Sequence, residues 1–221
     1  MVLIRMIKKF GPVWLLIIFG LFNPYQPDAN AKELKVGFIY LSSAKDAGWS
    51  YSHDLGRQLI DSIPGVTTSF VESISDGENT YIETVLRHMA QNNYDLIFAT
   101  SYGYLDAILK IAPQFPNVVF MHCAGNTSAT KNIGTYYGRM YEARYLTGLV
   151  AGGMTRSNIV GYVAAHPLHE VVRGINAFAL GVWESNPDAK ILVRWTKDWN
   201  DPLKEKQAAN ELIDAKADVI A

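Results

Sequence analysis

From Leu34 onward, short runs of β-forming residues alternate with helical patterns, and this alternation limits the possible folds more than any other feature of the chain. Leu34 to Tyr40, Val66 to Ser73, Asp95 to Thr100, Val118 to His122 and Ile133 to Tyr137 read as strands. Leu55 to Ile63, Asn79 to Asn92 and Leu105 to Ala112 read as helices, the last closed by Pro113. Strands separated by helices form right-handed βαβ units, which build a parallel sheet covered on both faces. Within Asn79 to Asn92, Ile82, Val85, Leu86 and Met89 follow the spacing of one buried helical face. His88 beside them is expected at the surface or its boundary.

The alternation continues after a helix of unusual composition, Arg139 to Met154, which carries Gly148, Gly152 and Gly153. Each interior glycine weakens a helix by about 1 kcal/mol relative to alanine, so tight packing against another element is expected there. Asn158 to Val163 is a strand and His166 to Ser185 a helix opened by Pro167. Ile191 to Trp195 is a strand, Lys204 to Ala215 a helix, and Asp218 to Ala221 begins another strand. The length exceeds one common domain of about 100 to 150 residues. Two parallel-sheet lobes are therefore expected, residues 32–156 and 157–221, with the second truncated.

Residues 1–31 read as a secretory signal peptide. Arg5, Lys8 and Lys9 form a basic region, Val13 to Phe22 an apolar core and Ala29-Asn30-Ala31 a cleavage site. The apolar run is far shorter than the roughly 20 residues that span a bilayer. Cleavage after Ala31 leaves 17 of the 20 basic and 20 of the 21 acidic residues, a net charge of about −3 that lends no support to nucleic-acid binding. The single cysteine, Cys123, is far from the leader, so no lipid-attachment cysteine stands at the cleavage site. A periplasmic product is expected, with Cys123 a small buried hydrophobe.

Ser42 to Arg57 follows the first strand, at the carboxyl end where open parallel sheets place ligands. It contains Asp46, Trp49, Tyr51, His53 and Asp54. The next loops hold Ser75, Asp76 and Glu78, then Ser101, Tyr102 and Tyr104, then His122, Gly125 and Asn126. Trp49 and Tyr102 suit stacking on a planar ring, and Asp46 suits accepting hydrogen bonds from sugar hydroxyls or ring N–H groups. Ser101, His122 and Asn126 complete a polar ligand-binding edge. Asp54, Asp76 and Glu78 are expected as helix caps. In the second lobe Trp199 offers a further ring, and Asp201 before Pro202 a further cap.

Nothing in the chain marks an enzyme. The patterns GxSxG, HExxH, CxxC and GxxxxGK[ST] are absent, and His166 with His169 makes a metal pair without a third ligand. No catalytic residue, metal or cofactor is expected.

Several segments resemble the basic membrane protein family of ABC-transporter substrate-binding proteins, which includes purine nucleoside receptors. They are Lys35-Val-Gly-Phe38, Asp46-Ala-Gly-Trp-Ser50, Tyr94-Asp-Leu-Ile97, Phe115-Pro116 with Val119-Phe120, and Glu142 to Gly153. Ile159-Val-Gly-Tyr162, Asn176-Ala-Phe178 with Gly181, Trp199-Asn-Asp-Pro202 and Ala217-Asp-Val-Ile220 follow in the same order. The resemblance implies an α/β periplasmic-binding-protein-like fold of type I, whose two lobes close on a purine base or nucleoside in an interlobe cleft. It further implies a monomer that hands the ligand to the membrane permease of an ABC importer. In that family an aspartate and a nearby aromatic of the first loop contact ligand, which Asp46 and Trp49 match. Trp49 replaces the more usual Phe and Ser50 a common Asn, while His122-Cys123 stands where an acidic residue is frequent. The aromatic and histidine content of the loop suggests a branch that prefers a free base such as adenine. The alternatives are a receptor or sensor for another small solute on the same fold, or a periplasmic α/β hydrolase.

Overall fold

The computed structural model describes residues 32–125 and 130–221. The leader read in residues 1–31, and Asn126, lie outside them. The described chain divides into two compact units, residues 32–122 with 130–134 and residues 123–125 with 135–221.

In the first unit the alternating pattern becomes β1 (Leu34–Ile39), α1 (Trp49–Asp61), β2 (Val66–Val71), α2 (Asn79–Gln91), β3 (Leu96–Ala99), α3 (Leu105–Ile111), β4 (Val119–Cys123) and β5 (Ile133–Tyr136). Short 3-10 turns cover Tyr102–Tyr104 and Ala112–Gln114. The strands form one sheet in the order β2-β1-β3-β4-β5. β1 pairs in parallel with β2 and β3, and β3 with β4, in a register that sets Ala99 beside His122. Because β2 and β3 lie on opposite sides of β1, the crossovers run in opposite directions. The carboxyl ends of β1 and β3 therefore flank the crevice where such sheets bind ligands.

Side chains of a strand alternate between faces, and each face of this sheet has its own core. Val36, Phe38 and Tyr40 pack with Ile60, Val66 and Phe98 on one side. Ile39, Ile97, Ala99 and Phe120 meet Ile82, Leu86 and Met89 of α2 and Ile108 and Ile111 of α3 on the other. The apolar stripe read in α2 is thus its buried face, and His88 is exposed.

The helix α1 departs from expectation. It is expected over Leu55 to Ile63, yet it begins at Trp49, and Leu55 and Leu59 are exposed. The buried positions are Ser50 and Asp54. Asp54 is therefore not an N-cap. It lies in the helix, ion-paired to Arg57 at 2.6 Å, and accepts hydrogen bonds from Tyr40 Oη at 3.2 Å and Gln58 Nε2 at 2.7 Å. A polar network, with Ile60 in the core beside it, thus anchors this helix. Glu78 occupies the cap position of α2 without a side-chain capping bond.

The second unit contains α4 (Met140–Met154), β6 (Ile159–Ala164), α5 (His169–Ser185), β7 (Lys190–Trp195), α6 (Pro202–Asp214) and β8 (Val219–Ile220). Its sheet runs β7-β6-β8 with both pairs parallel. Val160, Tyr162, Ile175, Phe178 and Val182 form its core. α4, expected to close the first lobe, instead packs on α5 in this unit. A Cβ at Gly148 would overlap the Phe178 carbonyl, one at Gly152 the Val182 carbonyl, and one at Gly181 the Tyr145 carbonyl. Backbone meets backbone at this crossing, which accounts for the glycines. Pro167 precedes α5 rather than lying in its first turn, with extended Leu168 at the cap position.

Candidate functional site

Asp46 builds the loop after β1. Its carboxylate accepts hydrogen bonds from Ser42 Oγ at 2.5 Å and from the amides of Gly48, Tyr51 and Ser50 at 2.8, 3.0 and 3.1 Å. These amides belong to the opening of α1, where unpaired N–H groups attract negative charge. Burial raises the carboxyl's pKa, but the Ser42 bond and the three amides outweigh it and hold the pKa at about 2. The early start of α1 is the consequence, because Asp46 supplies the cap that the sequence reading had given to Asp54.

Trp49, the first residue of α1, is 37% exposed, and its indole Nε1 donates to the carbonyl of Thr100 at 2.6 Å. Thr100 in turn donates from both its amide and its Oγ1 to the Ile39 carbonyl, at 3.2 and 2.8 Å. The ends of β1 and β3 and the first turn of α1 are therefore tied together at the crevice. His53 packs against Trp49 with ring centroids 4.8 Å apart, and its Nδ1 donates to the Trp49 carbonyl at 2.9 Å. Burial lowers the His53 pKa, opposed by the Trp49 carbonyl and the charge of Asp46. The net direction favours a neutral ring.

Ser101 is buried and Tyr102 is 40% exposed. His122, at the end of β4, is fully buried, and its Nε2 donates to the carbonyls of Ser101 at 2.9 Å and Tyr102 at 3.1 Å. Behind this turn a Cβ at Gly103 would lie 2.5 Å from the Asp76 Cγ, so only glycine fits. Asp76, expected as a cap, instead packs against the turn. Cys123 is buried, and burial pushes its thiol up to about 11, so the inert reading holds.

The carboxyl edge of the second sheet carries another group of residues. The Thr196 amide donates to the Ala164 carbonyl at 2.8 Å, and its Oγ1 donates to the Asp198 carbonyl at 2.8 Å. Trp199 lies against His166 with centroids 5.0 Å apart. Asp201 caps α6 by accepting from Leu203 and Lys204 amides at 3.0 and 3.1 Å, as expected. An open groove of about 670 Å³ is lined by Arg144, Thr196, Asp198, Trp199 and Glu205 among others.

The fold thus brings Asp46, Trp49, Ser101, Tyr102 and His122 to one sheet edge and Trp199 to the edge of the other sheet. Asn126 lies outside the described residues. Thr100, His166 and Arg144 were missed as members of these edges. Thr100 acts through a backbone carbonyl that leaves no side-chain signature, whereas the place of His166 just after β6 was a usable signal.

A family model described as "ABC transporter substrate-binding protein PnrA-like", named Bmp, matches residues 33–221. The chain belongs to the Bmp family. Among relatives, a protein of Brucella abortus named purine-binding protein BAB2_0673 is 42% identical over 195 residues, covering 87% of this chain and 55% of the relative. A Haloferax volcanii protein, TsgA13, whose name refers to an ABC transporter glucose-binding protein, is 41% identical over 87% of this Bmp-family chain and 49% of its own length. The chain spans about half the length of these relatives. A solved ABC transporter solute-binding protein from Aeropyrum pernix has a TM-score of 0.72 at 20% identity, covering 85% of this chain and 54% of that one. One from Conexibacter woesei has a TM-score of 0.64 at 24% identity, covering 85% and 62%. The α/β fold is therefore that of periplasmic-binding-protein-like ABC solute-binding proteins.

Proposed function

We propose that this Bmp-family chain is the solute-binding component of an ABC importer and takes up a purine base or nucleoside without chemical conversion. The exposed rings of Trp49, bonded to the Thr100 carbonyl, and of Tyr102, two residues further along the same loop, carry this reading. A flat heteroaromatic ring gains about 1 to 3 kcal/mol from each such stack. Ser101, buried at the same edge, supplies a hydrogen-bonding group, which discriminates because a wrong ligand leaves buried polar atoms unpaired. Asp46, bonded to Ser42, Gly48, Ser50 and Tyr51, shapes the loop that carries Trp49. The name of the Brucella relative agrees with a purine ligand. The protein acts in the periplasm, as a monomer that delivers its ligand to a membrane permease.

A sugar is the second reading, favoured by the nearly equal identity to the Haloferax relative. Aromatic rings and hydroxyls also suit a pyranose. Thermal melts of the purified protein with adenine, xanthine, adenosine and glucose separate the two. A ligand at one hundred times its Kd stabilises the native state by about 2.7 kcal/mol. A shift with adenine or adenosine and none with glucose supports the purine reading; a shift with glucose alone overturns it.

A further inference from the structure

We propose that His122 is a positioning residue, which holds the Ser101–Tyr102 turn through its Nε2–H and so presents the Tyr102 ring to the ligand. This rests on the reading that the ligand is taken at the carboxyl edge of the first sheet. His122 is fully buried, so it does not offer its ring to a ligand in this conformation. Its register beside Ala99 points the imidazole at the segment that leaves β3. There Nε2 meets two successive carbonyls, at 2.9 and 3.1 Å.

The neighbouring restraints make this turn a built feature. The carbonyl just before it, that of Thr100, accepts from Trp49 at 2.6 Å, and Gly103 just after Tyr102 is backed by Asp76. Three consecutive carbonyls are thus held by two aromatic N–H donors from α1 and β4. The Tyr102 ring stands 6.5 Å from the imidazole, centroid to centroid, and remains 40% exposed. A turn fixed before the ligand arrives has less conformational freedom to lose on binding. The Ser101 and Tyr102 carbonyls also accept from the amides of Tyr104 and Leu105 within the turn, so an apolar residue at position 122 would remove only the bonds that tie the turn to β4. Glutamine places an amide N–H at the reach of Nε2, whereas asparagine is one bond shorter.

The test compares His122→Gln with His122→Asn in the 221-residue protein. Both are polar, so both separate the reach of the donor from polarity. Two readouts are taken: amide hydrogen exchange of the peptide spanning residues 100–105 without ligand, and adenine affinity by calorimetry. The glutamine variant is expected to match wild type in exchange and to stay within about threefold in affinity, while the asparagine variant exchanges faster and binds about tenfold more weakly, the scale of a lost hydrogen bond. Equal behaviour of the two variants, in exchange or in affinity, overturns the proposal. If the wild-type protein binds no purine, the purine reading fails, and the exchange comparison still decides the role of His122. If the asparagine variant does not fold, exchange in the glutamine variant decides alone: protection equal to wild type supports the proposal, and lost protection overturns it.

Discussion

The indole N–H of Trp49 is bonded to the carbonyl of Thr100, 51 residues further along the chain, at 2.6 Å. One side chain thus serves two purposes: it closes the edge between α1 and β3 and leaves over a third of its surface to solvent. The two roles separate by substitution. Trp49→Phe keeps a ring but removes the donor, and is expected to cost about 1 kcal/mol of stability in urea melts. Trp49→Ala should fold as well, and lose about 1 to 3 kcal/mol of adenine affinity by calorimetry if the ring stacks on a base. Unchanged affinity in Trp49→Ala would remove this ring from the ligand site.

The low pKa of Asp46, about 2, predicts an acid dependence. A carboxylate whose folded pKa lies below its unfolded value, about 3.9, contributes stability that is present above the unfolded value. That contribution is lost as pH falls toward the folded pKa. Asp46→Asn should therefore flatten the stability curve between about pH 4 and pH 2, the window set by these two values. Urea midpoints at several pH values across that window measure it, and parallel curves for the variant and wild type would contradict the capping role.

Two adjacent glycines of α4 are expected to respond with opposite signs. A Cβ at Gly152 meets the Val182 backbone, so Gly152→Ala should destabilise the second unit by about 1 to 3 kcal/mol. Gly153 has nothing within 4 Å of its Cβ position, so Gly153→Ala should stabilise the helix by about 0.5 to 1 kcal/mol. Denaturant unfolding of the two variants reads both signs. Similar effects would mean that the close crossing of α4 and α5 is absent in solution.

Asp201→Ala removes the acceptor for the amides of Leu203 and Lys204. A loss of about 1 kcal/mol is expected, as for other N-caps. The ion pair between Asp201 and Lys204 at 3.2 Å is solvent-exposed and adds little. Asp201→Asn, which keeps a capping oxygen without the charge, should recover most of that loss in the same unfolding measurement.

The amino-acid sequence by itself determined the order and type of nearly every element, because β-forming runs and the periodicity of α2 are local properties. It also determined the cap at Asp201, a contact spanning only three residues, and enough ordered segments to place the chain in its family. Tertiary structure decided what depended on distant partners. The face of α1 turned on a polar network joining Asp54, Arg57 and Tyr40, which buries charge and leaves Leu55 and Leu59 exposed. The membership of α4 turned on α5 carbonyls that approach Gly148 and Gly152 and on the α4 carbonyl of Tyr145 that approaches Gly181. The site residues were legible as a list, since loops after parallel strands share one edge. Their individual roles were not, because the bonds that define them run from Trp49 to Thr100 and from His122 to Ser101 and Tyr102. Backbone carbonyls are identical at every position of a sequence, and only the folded sheet selects which of them a side chain meets.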